Sequence, residues 1–281
     1  MDLPINLILN IVEIGAIYAL VVLSVFLSSK IISFDDLTVD GSFTAGGAVV
    51  VSLLLVGVNA VIATLAAVFV GGVAGLLTGI LNTKLKLNNL ISGIVITTGI
   101  FSINLKLAGA NANLGVNKTI FDLLSFLQLG EASHLIVLVG ICLGMIFTVK
   151  WLLQTEFGLV LKASGSNPQI LTGLGKSINF YKISCLIISN SITGLAGALF
   201  VQHLGFFSIT GCVGTLTVAL AGLVIGSSIS NNLVAKIVLG ALAYQSIIAL
   251  TLELQIEPVW NRLITAVLII VLVGINNSKQ G

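Results

Sequence analysis

Long apolar runs separated by short polar stretches set the pattern of this chain. A membrane-crossing helix needs about 20 mostly apolar residues to bridge the hydrocarbon core. Nine runs meet or approach that length: 5–27, 38–56, 60–81, 88–108, 134–150, 179–203, 213–229, 233–252 and 259–275. The stretch from Ser33 to Gly57 carries Asp35, Asp36 and Asp40 near its start and is expected to be broken there. The longest polar interruption, Gln154–Lys182, has its own helical signals. Phe157, Val160, Leu161 and Ser164 recur at three- and four-residue spacing, which predicts a first helix with one largely apolar face. Gly165 and Ser166 are expected to break it. Asn167 is placed to cap a second helix with Pro168 at its first position, where the missing N–H costs nothing. Gly173 and Gly175 are placed to close that helix before Ser177 and Asn179 lead into the next run.

Composition turns these runs into a class. The 281 residues are 57% hydrophobic and 8% charged, with a mean hydropathy of +1.18; soluble domains carry roughly 25% charged residues. The fold expected is an all-α integral membrane bundle of about nine helices, forming one transmembrane domain over 1–281 with a polar loop at 151–178. Thirty glycines fit such a bundle, because small residues let helices approach closely where no hydrophobic force joins them. A net charge of +2 gives no electrostatic footprint for nucleic acid. Sidedness is more informative: Lys30, Lys84, Lys86, Lys150, Lys162, Lys176, Lys182, Lys236 and Lys279 share one side of a nine-span arrangement, against Lys106, Lys118 and Arg262. The positive-inside bias places Gln154–Lys182 and the C-terminus in the cytoplasm. It places Gly109–Ser133 and 253–258 outside, the former long enough to fold over a pore mouth. No basic stretch with a small-residue cleavage site precedes the first run, which is expected to be a retained span.

Candidate chemistry is sparse. Cys142, Cys185 and Cys212 are an odd number, widely spaced in apolar runs, and read as small core residues. Glu13 and Asp40 stand within or at the edge of spans, where an ionisable group costs about 2.5–3.5 kcal/mol at a helix centre. Glu13 is a candidate for the path of a solute or for an interfacial partner. Asp40 is expected near the inner interface, organising a broken helix start with Asp35, Asp36, Thr38 and Ser42. The amides Asn10, Asn82, Asn104, Asn190, Gln202 and Gln245 read mainly as packing groups. Thr97 with Thr98, Asn104, and Ser189 with Asn190 are the further candidates for a polar route. Leu37-Thr38-Val39 opens the second run and Leu216-Thr217-Val218 follows the start of the seventh from the opposite side, which hints at an inverted repeat. No GxxxxGK[ST] phosphate loop occurs, so ATP hydrolysis is not expected in this chain. His134 and His203 lack a carboxylate at ligand spacing, so the sequence gives no metal site. Ser92-Gly93 with His203 is the pairing an intramembrane serine protease would use.

Thr155-Glu156-Phe157-Gly158, then Leu161-Lys162-Ala163-Ser164-Gly165-Ser166-Asn167-Pro168 and Gly173-Leu174-Gly175, resembles the cytoplasmic loop of the branched-chain amino acid and ribose type permeases of bacterial ABC importers. Ser189 to Leu199 resembles the family's small-residue span, Pro258-Val259-Trp260 with Arg262 its entry to the last helix, and Asp36 to Phe43 a branch associated with amino-acid-binding lipoproteins. The sequence departs from the family at Ile170, Leu171 and Thr172, and at Gly175-Lys176-Ser177-Ile178. The resemblance implies a permease that transports rather than catalyses, in a bacterial cytoplasmic membrane. It implies a second permease copy, ATPase subunits that bind the ATP and Mg, and an external substrate-binding lipoprotein. It makes Gln154–Lys182 a coupling segment, with Glu156, Phe157, Gly158, Val160, Leu161, Gly165, Asn167, Pro168, Gly173 and Gly175 meeting the ATPase and the apolar face of Phe157, Val160 and Leu161 entering its groove. A stand-alone secondary transporter or channel using Glu13 or Asp40 remains the alternative, and an intramembrane protease a remote one.

Overall fold

A computed structural model describes residues 3–115, 117–122, 132–173, 175–255, 260, 263–267 and 270. The ninth predicted run, with Pro258-Val259 and Arg262, lies mainly outside these residues, as do Glu131 and Leu174. The described chain is helical almost throughout. Helix α1 (Leu3–Val25) continues as a π-helical turn over Phe26–Ile31 and is followed by α2 (Thr38–Leu55), α3 (Ala60–Thr83) and α4 (Asn89–Ala108). Strand β1 (Asn111–Asn113) precedes α5 (Ala132–Leu152) and the polar pair α6 (Glu156–Ser166) and α7 (Pro168–Gly173). Helix α8 (Ile178–Leu204), strand β2 (Phe206–Ser208), α9 (Thr215–Ile229) and α10 (Leu233–Glu253) complete it. Seven of these helices are long and apolar enough to cross a membrane. This is an all-α polytopic membrane protein.

Short corners between spans carry their own caps. The side-chain oxygens of Asn59, Asn88 and Asn232 accept from the N–H groups of Val61, Leu90 and Val234, satisfying donors that an α-helix start leaves open. Beyond the ends of α4 and α8, β1 pairs antiparallel with β2, Asn111 opposite Ser208. The buried amide of Gln202 fastens the segment around Ile120: its oxygen accepts from Ile120 N–H and its nitrogen donates to Thr64 on α3. Gly109–Ser133 therefore lies across the ends of α3 and α8 where it is described.

Helix α8 is the hub, packed against α3, α2 and α1. Its small residues make this geometry available. A methyl group added at Gly46 of α2 would fall on the carbonyl oxygen of Gly194, and one added at Gly197 on that of Phe43. Ser42 bonded to Asn190, Gly46 against Gly194 and Gly47 against Val201 run in step, so α2 and α8 are parallel. Helix α4 is largely unburied along its length and shows Ile94, Val95, Phe101 and Ile103 outward, as a helix facing lipid or another apolar surface must.

Two expectations are corrected. The first helix continues past 27 to Ile31, and the seventh run yields a helix of only 15 residues. At 1.5 Å per residue this is about 22 Å, too short for a hydrocarbon core of about 30 Å. The predicted break before α2 is present at Ile32–Leu37. Replacing Gly46 with Leu should overpack the α2–α8 contact by about 1–3 kcal/mol. Thermal unfolding in detergent, followed by fluorescence-detected size exclusion, should fall by several degrees; an unchanged midpoint would show that the close approach does not hold these helices together.

Candidate functional site

Two regions of the described bundle gather hydrogen-bonded polar groups. The first lies beside the middle of α8 and joins the starts of two helices. Asp36 accepts from the N–H of Thr38 at 2.9 Å, at the start of α2, and from the side-chain nitrogen of Asn190 at 2.7 Å. Asn190 in turn accepts from Ser42 at 2.6 Å, and Thr38 bonds Thr78 on α3 at 2.7 Å. Asp40 reaches across to α9: one carboxylate oxygen accepts from Gly214 N–H at 3.2 Å and the other from Leu216 N–H at 2.7 Å. Charge-assisted bonds of this kind are stronger than neutral ones, and the positive end of a helix favours the carboxylate. The two segments that share Leu-Thr-Val thus meet through Asp40. Because Ser42 sits opposite Asn190, near the centre of the 27-residue α8, Asp40 lies well inside the bundle rather than at the inner interface expected for it.

The other route candidates divide by burial. Asn190 and Ser189 are fully buried. Ser189 donates to the carbonyl oxygen of Ser24, whose hydroxyl also bonds Thr193 at 2.6 Å. In this conformation both seal α8 against its neighbours and neither lines an opening. Thr97 donates to the Leu37 carbonyl and supports the turn before α2. Thr98 is exposed and bonds its own helix at Ile94. Asn104 is buried, with its side-chain nitrogen making no hydrogen bond to a described group. The carboxylate of Glu13 lies 3.9 Å from His203 Nε2. His203 and His134, remote in sequence, come within 6.4 Å of one another beside Phe121. Ser92 is buried and donates to the Asn88 carbonyl in the first turn of α4, whereas His203 occupies the last turn of α8, so no Ser92–His203 pair forms.

The second region is the helical hairpin α6–α7. Thr155 caps α6 by accepting from Gly158 N–H. The helix does not break at Gly165: Asn167 N–H still bonds the Ala163 carbonyl, and α6 runs through Ser166. Asn167 then precedes Pro168 at the first position of α7, as the sequence predicts. Gly173 ends α7, and Gly175, with φ of +65°, lets Lys176 N–H return to the Leu171 carbonyl, a Schellman-type closure.

The apolar face of α6 turns inward, contrary to expectation. Leu161 is fully buried, and Phe157 packs on Tyr181 of α8 with ring centroids 5.4 Å apart. Val160 is half-buried. Gly158 lies against the backbone of Leu152 and Leu153, and Gly165 against the carbonyl of Ile31, with no room for a Cβ at either. Ser33 also donates to the Gly165 carbonyl at 3.4 Å. These residues seat the hairpin on its own chain. What faces water is Glu156, Leu159, Lys162 and Ser166 on α6, then Asn167, Gln169, Gly173 and Gly175. Sequence reading missed Leu159, which is 57% exposed; its position between Glu156 and Lys162 on the polar face was the available signal.

Asp40→Ala should leave the α9 start without its acceptor, costing about 1–2 kcal/mol, while Asp40→Asn keeps one acceptor and should recover part of that. Equal unfolding midpoints for Asp40→Ala and the wild type in detergent would contradict the cap. Asn190→Leu, which strands buried Asp36 and Ser42, should destabilise the protein far more than Thr98→Val, which removes an exposed bond within one helix. The same melting series ranks the two, and a reversed order would contradict the burial pattern.

The comparisons agree with this architecture over nearly the whole chain. A family model described as branched-chain amino acid transport system / permease component matches residues 7–273. The tyrosine transport system permease protein of Clostridioides difficile (strain R20291) is 34% identical over 281 residues, covering 96% of this chain and 91% of that protein. The ribose import permease protein RbsC of Escherichia coli (strain K12) is 27% identical over 290 residues, covering 98% and 87% respectively. No solved structure matches. A polytopic bundle with a capped helical hairpin, matched end to end by such relatives, belongs to the branched-chain amino acid and ribose type family of ABC transporter permeases.

Proposed function

We propose that this chain is the membrane-spanning subunit of an ATP-driven importer in a bacterial cytoplasmic membrane, and that it forms the path for a small solute, an amino acid. Two copies work with a pair of ATPase subunits, which bind the ATP and Mg, and with an external lipoprotein that delivers the solute. The C-terminus and α6–α7 face the cytoplasm, a reading supported by the lysine bias. The amino-acid assignment is supported by the 34% identity to a tyrosine transport permease.

The observation that carries the coupling role is the inward seat of α6. A helix fixed by Phe157, Leu161 and Gly165 to the rest of the chain can carry a push, whereas a loosely held loop would absorb it. The ATPase is met by the opposite face, with Leu159 as the apolar contact and Glu156 and Lys162 beside it. Gly165 rests on Ile31 and Ser33, only a few residues before Asp36 and α2. Movement of α6 is thereby delivered to the turn from which α2 and, through Asp40, α9 begin. Phe157, Val160, Leu161, Gly158 and Gly165 act in this scheme as the seat rather than as the docking surface.

Leu159→Asp should reduce ATP-driven uptake of labelled tyrosine roughly ten-fold in proteoliposomes carrying the permease, the ATPase and the binding protein, in keeping with loss of an apolar anchor worth about 1–2 kcal/mol. The amount of folded permease should not change, because Leu159 is 57% exposed and lies outside the packed core. Wild-type uptake by Leu159→Asp, with the ATPase still co-purifying, would remove Leu159 from the docking surface. Uptake by the wild type that needs no ATP would overturn the importer reading.

A further inference from the structure

Beside the start of α9 lies an open cleft of about 580 Å³ between α1, the stretch 210–218 and α10. Neither region of the candidate site supplies its side chains. Its lining is unusual for this chain: Tyr18, Thr217, Tyr244 and Gln245 bring hydrogen-bonding groups, Val218 and Ile248 bring apolar ones, and no carboxylate, amine, guanidinium or imidazole is among the described lining residues. Volume in the range of about 300–1,000 Å³, with mostly apolar walls and a few polar groups, is the usual form of a small-molecule site.

Gln245 supplies an independent pointer. It is 5% exposed and lines the cleft, yet its amide makes no hydrogen bond with a described residue. Its neighbour Tyr244 is different, its hydroxyl being bonded to Thr265 at 2.8 Å. A side chain this deeply set, whose amide meets no described protein group, keeps its donor and acceptor open to whatever enters the cleft. Thr217, in the first turn of α9, is exposed, and its hydroxyl is likewise directed to no described partner. The helix start itself is not a spare anion site, because Asp40 already takes the N–H groups of Gly214 and Leu216.

We propose that this cleft holds the solute during passage, and that it selects a small zwitterion of zero net charge with an aromatic or apolar side chain. The side-chain amide of Gln245 donates to the carboxylate and accepts from the ammonium group, and Thr217 completes the polar contacts. Tyr18 and Tyr244, with Val218 and Ile248, take the apolar body. A solute with net charge finds no counter-charge in the lining and pays the full desolvation penalty. This assignment rests on the reading of the chain as a transporter, and it names residues on which that reading does not depend.

The test uses the assembled permease, ATPase and binding protein in proteoliposomes, with labelled tyrosine as the solute. Gln245→Leu and Thr217→Val should each lower uptake at least ten-fold while ATPase co-purification stays at the wild-type level. In a parallel measurement, Thr217→Cys should react with a small methanethiosulfonate reagent, and tyrosine should slow that reaction. Wild-type uptake by both Gln245→Leu and Thr217→Val, or labelling of Thr217→Cys that tyrosine does not alter, overturns the cleft assignment and leaves the importer reading in place. ATP-independent uptake by the wild type overturns the importer reading alone, and the same variants still judge the cleft. Should Gln245→Leu fail to fold, Thr217→Val and the labelling decide, since Thr217 is exposed.

Discussion

A helix that begins inside a membrane leaves backbone N–H groups where no water can reach them, and each must find an acceptor within the protein. Asp36 and Asp40 meet that need for α2 and α9. Once a carboxylate is placed there, it requires donors of its own, and the surrounding residues follow from that demand. Asn190 supplies one to Asp36, Ser42 supplies one to Asn190, and Thr38 pairs with Thr78. Close approach of α2 to α8 brings these groups within reach, and the glycines at 46 and 197 permit that approach. The acids that first stand out as candidates for ion transport are thus held by the architecture in Asp40's case: both of its oxygens are engaged, which gives no support to a stand-alone ion-coupled carrier.

The same logic separates seat from surface in the polar hairpin. Helix α6 is amphipathic because its apolar side has to cover Ile31 and Tyr181 of its own chain. The polar side stays exposed, and Leu159 is the apolar exception on it. Seat and helix starts are neighbours, since Ser33 touches Gly165 and Asp36 follows three residues later. A short covalent path therefore connects the polar hairpin with the buried carboxylates. The cleft at Tyr18 and Gln245 shares Gly214 with the helix start that Asp40 caps.

Much of this was legible in the residues. Lipid imposes a length and an apolarity that soluble folds do not, so the runs gave the spans with small errors at their ends. Asn167-Pro168 and Gly175 specify local backbone geometry, and the hairpin appears where they stand. Long-range pairings were not legible. Nothing near Asp40 indicates that its partners lie 174 and 176 residues away. Nothing local joins His134 to His203 either. Periodicity at Phe157, Val160 and Leu161 states that a face is buried, not what buries it, and the cover from Tyr181 comes from a part of the chain that this spacing does not indicate. Gln245 looked like one more packing amide because its lack of a partner is a property of its surroundings.

The proposed coupling depends on which face of α6 an ATPase would meet. Single cysteines at Leu159→Cys and Phe157→Cys, each paired with a cysteine in the ATPase groove, can be oxidised in membranes and scored for cross-linked product. Native Cys142, Cys185 and Cys212 are buried and will not compete. The expected result is a cross-link from position 159 that changes in yield with ATP, and little or none from 157. Efficient cross-linking from 157 with none from 159 would contradict the inward seat and return the apolar face to the partner.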